Sequence, residues 1–293
     1  MGVIAQAEHR VANLRTRGAE WAESRDPASA SGVAIAAWRR YEAVDGPQQS
    51  ALLALYFLIA IVPALLVIEE YLETTPGALA NSLVHHYSLS AQTAELLRSV
   101  LVDSRQHELG SALLAVAAAL FFGLGFGRVL QLVHVRAWGL PVPSRQADTV
   151  RYALVLLGLY GLILLLLVQL NEIGGHPSWA NLALAPGWVV LLAVCFAWAA
   201  RLLTHDRISW RDLAPGATLS AIGVVALMLV SSVVMELWVN LYARDYGGFG
   251  VVLALYFWLA LSSAVIVWAA AISPALAARR SFRAEHPQTR LPE

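Results

Sequence analysis

Six long stretches without a charged residue constrain this chain more than any other feature of its sequence. Each runs for 19 to 33 residues between two members of the set Asp, Glu, Lys and Arg. About 20 apolar residues suffice for a helix to cross the hydrocarbon core of a bilayer, and a charge near its centre costs roughly 2.5–3.5 kcal/mol. A backbone in lipid must satisfy its own hydrogen bonds, and runs of this length can do so only as helices. The sequence therefore predicts an all-α polytopic membrane protein with a bundle of six transmembrane helices, whose cores are residues 51–68, 109–127, 152–170, 182–200, 213–235 and 249–271.

A seventh charge-free stretch, residues 74–94, is not predicted to cross the membrane. Pro76, Asn81, His85, His86 and several other polar residues make its transfer into lipid unfavourable. The composition of the whole chain agrees with a membrane protein. Of its 293 residues, 58% are apolar and 14% are charged, whereas about 25% are charged in an ordinary soluble domain.

The arginines predict how the spans are oriented. Seventeen of the 20 lie in four regions that share one side of the predicted bundle, at residues 1–50, 128–151, 201–211 and 279–290. The other three are Arg98, Arg105 and Arg244. Because cytoplasmic loops carry an excess of basic residues, both termini are expected in the cytoplasm. The formal net charge is zero, so no overall basic field for nucleic acid is present, and no nucleic-acid partner is expected.

The segments outside the spans complete the predicted organisation. Residues 1–30 form a cytoplasmic N-terminal segment, residues 31–278 the six-span membrane domain, and residues 279–293 a cytoplasmic tail that is expected to be disordered. Between the first two spans, residues 69–108 are expected to form helices that rest on the exterior surface.

An amphipathic helix is predicted just before the first span. Ala34, Ala37, Tyr41 and Val44 recur at helical spacing, and charged residues lie opposite them. This pattern favours a helix that lies on the inner leaflet. An ordinary soluble helix is the alternative.

The sequence contains no recognisable catalytic or metal-binding motif. No zinc-protease, nucleophile-elbow, phosphate-loop or EF-hand string is present. All basic residues are arginine, which excludes a Schiff-base lysine, and Cys195 is the single cysteine, among apolar neighbours in the fourth span. The adjacent His85 and His86 would point about 100° apart on a helix, so an exterior loop explains them better than a metal site. We therefore expect no enzymatic activity, no cofactor and no metal.

Polar residues at the inner end of the second span form the first candidate site. Arg128 and Gln131 are separated by three residues, and His134 follows three residues later, so they could share one helix face. Arg136 lies about two turns beyond Arg128 and could join it in binding an anionic headgroup with two guanidinium groups. The alternative is simple basic anchoring of the helix end, with Trp138 in the aromatic belt.

A second candidate site lies at the exterior ends of the third and fifth spans. Asn171 and Glu172 end the third span, and Glu236 and Asn240 end the fifth. Carboxylates at one mouth could gate a proton or a cation. Solvated helix ends are the alternative.

The order of these elements resembles the YihY/virulence factor BrkB family of bacterial inner-membrane proteins, over about residues 30–280. The resemblance rests on the first span ending at Pro63, the segment from Leu130 through Trp138 to Gly139, the run from Ile208 to Ala217, and the glycine-rich start of the last span at residues 246–250. The positions that look like the family's own are Pro63, Trp138, Trp210, Pro215, Gly216, Tyr246 and Gly247. The resemblance implies six helices, a bacterial inner membrane and both termini inside. The family once carried a ribonuclease label, which no metal ligands or basic groove support here.

The function that these features favour is transport or translocation of a lipid or another amphiphile at the cell envelope. Such a molecule can enter sideways from a leaflet, so a wide aqueous pore is not needed. The alternative is a non-transporting membrane scaffold for envelope or division machinery. Membrane lipids are the expected partners, and small-residue helix faces permit a homo-oligomer.

Overall fold

The structure is a computed structural model that describes residues 29–71, 81, 94–95, 109–144, 148–155, 158–159, 162 and 178–285. Every regular element in these ranges is a helix. Six of them have defined bounds: α1 Ala30–Ala43, α2 Gly46–Tyr71, α3 Leu109–Ala137, α4 Ser178–Leu203, α5 Trp210–Tyr246 and α6 Gly248–Glu285. Residues 149–155 are also helical and are called the 149–155 segment below.

Four of the described helices are long and apolar enough to cross a membrane. Their apolar stretches are Val116–Ala137, Pro186–Leu203, Trp210–Ser231 and Phe249–Phe282. A fifth span results if α1 and the start of α2, which meet at a 60° bend, are counted as one broken span. The predicted third span, residues 152–170, lies mostly outside the described residues, so the total of six stays a prediction.

The bend between α1 and α2 has a local cause. Asp45 adopts a left-handed backbone conformation with φ of 56°, which a continuous helix does not allow. Both sides of the bend pack on the bundle. Tyr41 of α1 stacks on Trp268 of α6 with ring centroids 5.1 Å apart, and Phe57 of α2 packs against Phe126 of α3 with ring centroids 5.7 Å apart. Ala37 and Val44 are buried with Tyr41, although Ala34 of the predicted stripe is exposed. A helix therefore exists where the periodicity predicts one, and its position on a membrane surface stays a prediction.

One end of the bundle gathers the arginine-bearing ends of the helices. There Arg40 of α1 donates to the carbonyl of Ala137, the last residue of α3, over 2.8 Å. Arg280 of α6 donates to the carbonyl of Arg211 at the start of α5, also over 2.8 Å. We call this end of the bundle the arginine-rich end.

The helices approach closely near this end because glycines remove side chains from the contacts. A Cβ at Gly127 of α3 would lie 2.8 Å from the Cβ of Tyr152, and one at Gly125 would lie 2.5 Å from the ring of Tyr56. Close approach at small residues is the usual way in which helices pack in membranes.

The outer faces of the spans are apolar. Leu114 of α3, Leu237 of α5 and Phe249 of α6 are 72%, 69% and 69% exposed. A soluble protein rarely exposes large apolar side chains in such number, whereas lipid favours them.

The last helix extends into the predicted tail. Residues 279–285 belong to α6, although the sequence analysis assigned them to a disordered region that begins at 279. Alanines up to Ala278 favour the helix, and Arg280 anchors its last turns to α5. Residues 286–293 and 1–28 lie outside the described residues, as does almost all of the predicted exterior segment 69–108.

Candidate functional site

Gln131 is the centre of a buried polar cluster at the arginine-rich end. Its side chain is fully buried. Its Oε1 accepts hydrogen bonds from Arg128 Nη1, at 2.8 Å, and from the hydroxyl of Tyr152. Its Nε2 donates to Asp148 Oδ2 at 2.8 Å and to the carbonyl of Leu203 at 3.2 Å. The amide thus uses both donors and both acceptor positions to join α3, the residues at the start of the 149–155 segment, and α4.

Asp148 is the carboxylate of this cluster, and it is completely buried. Besides Gln131, its Oδ1 receives Arg151 Nη1 at 3.0 Å and His205 Nε2 at 2.9 Å. Burial alone raises the pKa of Asp148, but the hydrogen bond from Gln131, the charge of His205 and the nearby Arg151 together hold that pKa below its ordinary value. Asp148 is therefore ionised at neutral pH.

His205 reaches Asp148 from the turn that follows α4. His205 and Asp206 both have left-handed backbone conformations, with φ of 58° and 57°. Such conformations are unfavourable for residues other than glycine, and neighbouring contacts must hold them. Here the Asp206 carboxylate pairs with Arg201 Nε at 2.6 Å, and the Thr204 hydroxyl donates to the carbonyl of Ala200.

Arg128 differs from the other cluster residues because its three partners are neutral. Its Nη1 donates to Gln131 Oε1, to the carbonyl of Pro143 at 3.0 Å and to the hydroxyl of Tyr152 at 3.1 Å. Within the described residues, no carboxylate lies within 4.0 Å of its guanidinium, and its Nη2 and Nε have no hydrogen-bond partner. The side chain is half-buried within the apolar stretch of α3.

Arg136 lies apart from this cluster. Its Nη1 pairs with Asp45 Oδ2 at the bend between α1 and α2, at 3.2 Å, and both side chains are exposed. Of the three predicted headgroup residues, the structure therefore joins Arg128 and Gln131 and directs Arg136 elsewhere.

A small cavity lies beside the cluster, where α3, α4, α5 and α6 meet. It has a volume of about 20 Å³, which is enough for one water molecule. His134, Trp138, Phe196, Ser220 and Ser273 contribute to its lining, and none of the three predicted headgroup residues does. His134 Nδ1 is 2.9 Å from the carbonyl of Leu130, and Trp138 Nε1 is buried without a partner among the described residues. The predicted stripe is thus divided, since His134 faces a different space from Arg128.

Pro215 and Gly216 join α5 to α6. Pro215 has no backbone N–H, so it leaves the carbonyl of Arg211 without its helical partner, and Arg280 fills that position. The N–H of Gly216 donates to Ser273 Oγ over 2.9 Å. A Cβ at Gly216 would overlap Ser273 Oγ and lie 2.6 Å from the carbonyl oxygen of Ala269. These two family-like positions therefore allow a close contact between helices.

The remaining family-like positions lie inside a helix or at a helix end. Trp210 begins α5 and stacks under Arg201, whose Cζ is 5.1 Å from the ring centre. Gly247 ends α5 with φ of 61°, a conformation that favours glycine, and Tyr246 before it is exposed. Pro63 lies inside α2.

The predicted exterior gate is not tested by the structure. Asn171 and Glu172 lie outside the described residues, as does the side chain of Glu236. Asn240 lies half-buried in α5 and makes an interaction there.

Sequence reasoning missed Asp148, Tyr152 and His205. A signal for Asp148 was present, because it is the only acidic residue between positions 109 and 171, where four arginines occur. His205 gave no such signal, since only the fold brings it next to Asp148. In the part of the chain that the structure describes, no three residues of the His, Cys, Asp and Glu set are grouped so that they could hold a metal ion.

Comparison with known proteins agrees with the helical membrane architecture. The family model described as virulence factor BrkB matches residues 37–292. The putative ribonuclease-like protein YfkH of Bacillus subtilis (strain 168) is 23% identical over 269 residues, which cover 85% of this chain and 96% of that protein. No solved structure matches the chain. With nearly all of its length matched by one family model and with several apolar helices able to cross a bilayer, this chain is an integral membrane protein of the virulence factor BrkB family.

Proposed function

We propose that this protein moves a lipid or another amphiphile across the bacterial inner membrane. In this proposal both termini are in the cytoplasm, so the arginine-rich end faces the cell interior. The Arg128 cluster and the neighbouring cavity are then at the level where headgroups of the inner leaflet lie.

The observation that carries the proposal is that Arg128 has only neutral hydrogen-bond partners among the described residues. A guanidinium within an apolar membrane helix is costly unless it is paired or hydrated. Its Nη1 is held by three neutral acceptors, which orient the group without neutralising it. The remaining edge has no partner in the described part of the chain and is suited to receive a polar headgroup.

The outer surface supports entry from the bilayer. Apolar side chains such as Phe121, Val190 and Leu237 are mostly exposed, and acyl chains can cover them. A substrate whose tails stay in lipid needs space in the bundle for its headgroup alone. The cavity of about 20 Å³ is too small for a headgroup, so the helices must separate during each cycle.

Reconstitution into vesicles that contain a fluorescent lipid tests the proposal. Purified wild-type protein should expose inner-leaflet lipid to an external quencher faster than protein-free vesicles do. Arg128→Met should slow this exposure about tenfold or more, because a charge-assisted hydrogen bond contributes about 1.5–3 kcal/mol. Arg136→Met is the matched control, since Arg136 is on the same helix, pairs with Asp45 and lies outside the cluster.

Equal lipid movement with and without the protein would exclude the transport proposal. The scaffold alternative would then gain support, and crosslinking in membranes would identify its partners. The proposal includes no catalytic step, although one relative is named as ribonuclease-like. Cleavage of a labelled RNA by the purified protein would contradict that part of it.

A further inference from the structure

We infer that the group bound at Arg128 is an anionic phosphate group with no accompanying ammonium. This inference rests on the proposed function, because it names the headgroup class of the same site. It depends on the balance of charge around the cluster and on the free edge of one guanidinium.

The sequence around the site contains far more arginines than acidic residues. Residues 109–171 contain four arginines, Arg128, Arg136, Arg145 and Arg151, and a single carboxylate, Asp148. The unbalanced positive charge is therefore a property of the whole stretch.

The carboxylates near the cluster pair with some of these arginines and not with others. Asp148 is shared by Arg151 and His205, and Asp45 from the α1–α2 bend pairs with Arg136. Arg128 has only the Gln131 and Tyr152 side chains and the Pro143 carbonyl. In the described part of the chain, Arg128 is thus the arginine of this cluster that lacks a counter-charge.

A phosphate group supplies the negative charge that Arg128 lacks among the described residues. The planar guanidinium can bind two oxygens of one phosphate with parallel hydrogen bonds, and its Nε and Nη2 are the pair without a partner among the described residues. The ammonium of a zwitterionic headgroup would need a carboxylate or several carbonyls nearby. The buried carboxylate of the cluster, Asp148, already receives three donors. Phosphate esters that carry a net negative charge are therefore preferred over zwitterionic ones.

Vesicles made from phosphatidylcholine test this preference, with one trace lipid labelled on its acyl chain so that the headgroup is intact. Wild-type protein should move labelled phosphatidylglycerol about tenfold faster than labelled phosphatidylethanolamine, a difference of about 1.4 kcal/mol. Arg128→Met should bring the ratio of the two rates close to one. Arg136→Met should keep the wild-type ratio. Arg128→Lys should keep part of it, because lysine retains the positive charge but lacks the paired N–H donors of a guanidinium.

The outcomes separate the inference from the proposed function. Equal rates for the two lipids in the wild type would overturn the inference and leave lipid movement standing. Uptake of radiolabelled inorganic phosphate that requires Arg128, without lipid movement, would support phosphate binding. It would also identify free phosphate, rather than a lipid headgroup, as the group that is bound. If neither lipid nor phosphate moves, native mass spectrometry of the detergent-solubilised protein decides the matter. Retention of phosphatidylglycerol by the wild type and its loss in Arg128→Met would support the inference, and equal retention by both would overturn it.

Discussion

Asp148 connects three parts of the chain through one buried carboxylate. Gln131 comes from α3, Arg151 from the 149–155 segment and His205 from the turn after α4. Each donor compensates part of the cost of removing the carboxylate from water. Loss of its charge would leave Arg151 and His205 without their acidic partner.

The pKa of Asp148 gives a pH dependence with a definite sign. Because that pKa is lower in the folded protein than the ordinary value of about 3.9, the carboxylate stabilises the fold fully above about pH 4. Its contribution is lost as the pH falls through the folded-state pKa. We expect the melting temperature of the detergent-solubilised wild type to fall below pH 4 more steeply than that of Asp148→Asn. Melting curves from pH 7 to pH 3 measure this difference.

At pH 7, Asp148→Asn should lower the free energy of unfolding by about 2–3 kcal/mol, since it removes charged hydrogen bonds to a buried group. Asp206→Asn is the matched control, because Asp206 pairs with Arg201 at an exposed position and should change stability by less than about 1 kcal/mol. Similar melting temperatures for both variants would contradict the central role of Asp148.

Residue spacing predicted only part of this site. Arg128 and Gln131 are three residues apart on one helix, so their contact follows from helical geometry. Gln131 and Leu203 are separated by 72 residues and meet only because α3 and α4 pack together. Arg136 has the spacing to share the face of Arg128, yet its pairing with Asp45 depends on where α1 and α2 bend.

At the scale of elements, the contact between α5 and α6 depends on small groups. Gly216 has no room for a side chain, and its N–H donates to Ser273 of α6. Val265 of α6 restricts Gly223 in the same way, two turns further along α5. Dispersion between closely packed backbones, rather than the burial of apolar surface, stabilises such pairs in lipid.

Gly216→Ala should therefore destabilise the protein by about 1–3 kcal/mol through overpacking. Gly187→Ala in α4 is the control, because, apart from its chain neighbours and the nearby backbone of its own helix, no described atom lies within 4 Å of its added Cβ. Alanine there should stabilise the helix by about 0.5–1 kcal/mol. Thermal unfolding in one detergent measures both variants, and a stable Gly216→Ala variant would show that α5 and α6 separate at little cost.

At the scale of the whole molecule, the arginine distribution and the packing agree on one point. The ends of α3 and α4 and the start of α5 meet at the end where α6 finishes, as alternating spans require. Among the described residues, most of the arginines belong to the helix ends that meet there. The packing does not determine which side of the membrane this end faces. That expectation follows from the excess of basic residues in cytoplasmic loops.

We expect this end to face the cytoplasm. A green fluorescent protein fused after Glu293 should fluoresce, and an alkaline phosphatase fused at the same position should be inactive, because each reporter works on one side of the inner membrane. A fusion after Gly247, between α5 and α6, should give the opposite pair of results. An active phosphatase at the C terminus would reverse the orientation and place the Arg128 cluster at the outer leaflet.

Insertion of this chain into a membrane as helices can be read from its residues alone. The cost of a charge or an unpaired peptide group in lipid is a local property, so long apolar runs are sufficient to predict α3 to α6. The partners of the few polar groups inside the bundle depend instead on helices that are distant in sequence. Arg128 lacks a counter-charge because Asp148 is taken by Arg151 and His205, and Pro215 leaves a carbonyl that Arg280 satisfies. These pairings depend on helix register and on where glycine allows contact, which neither composition nor spacing specifies.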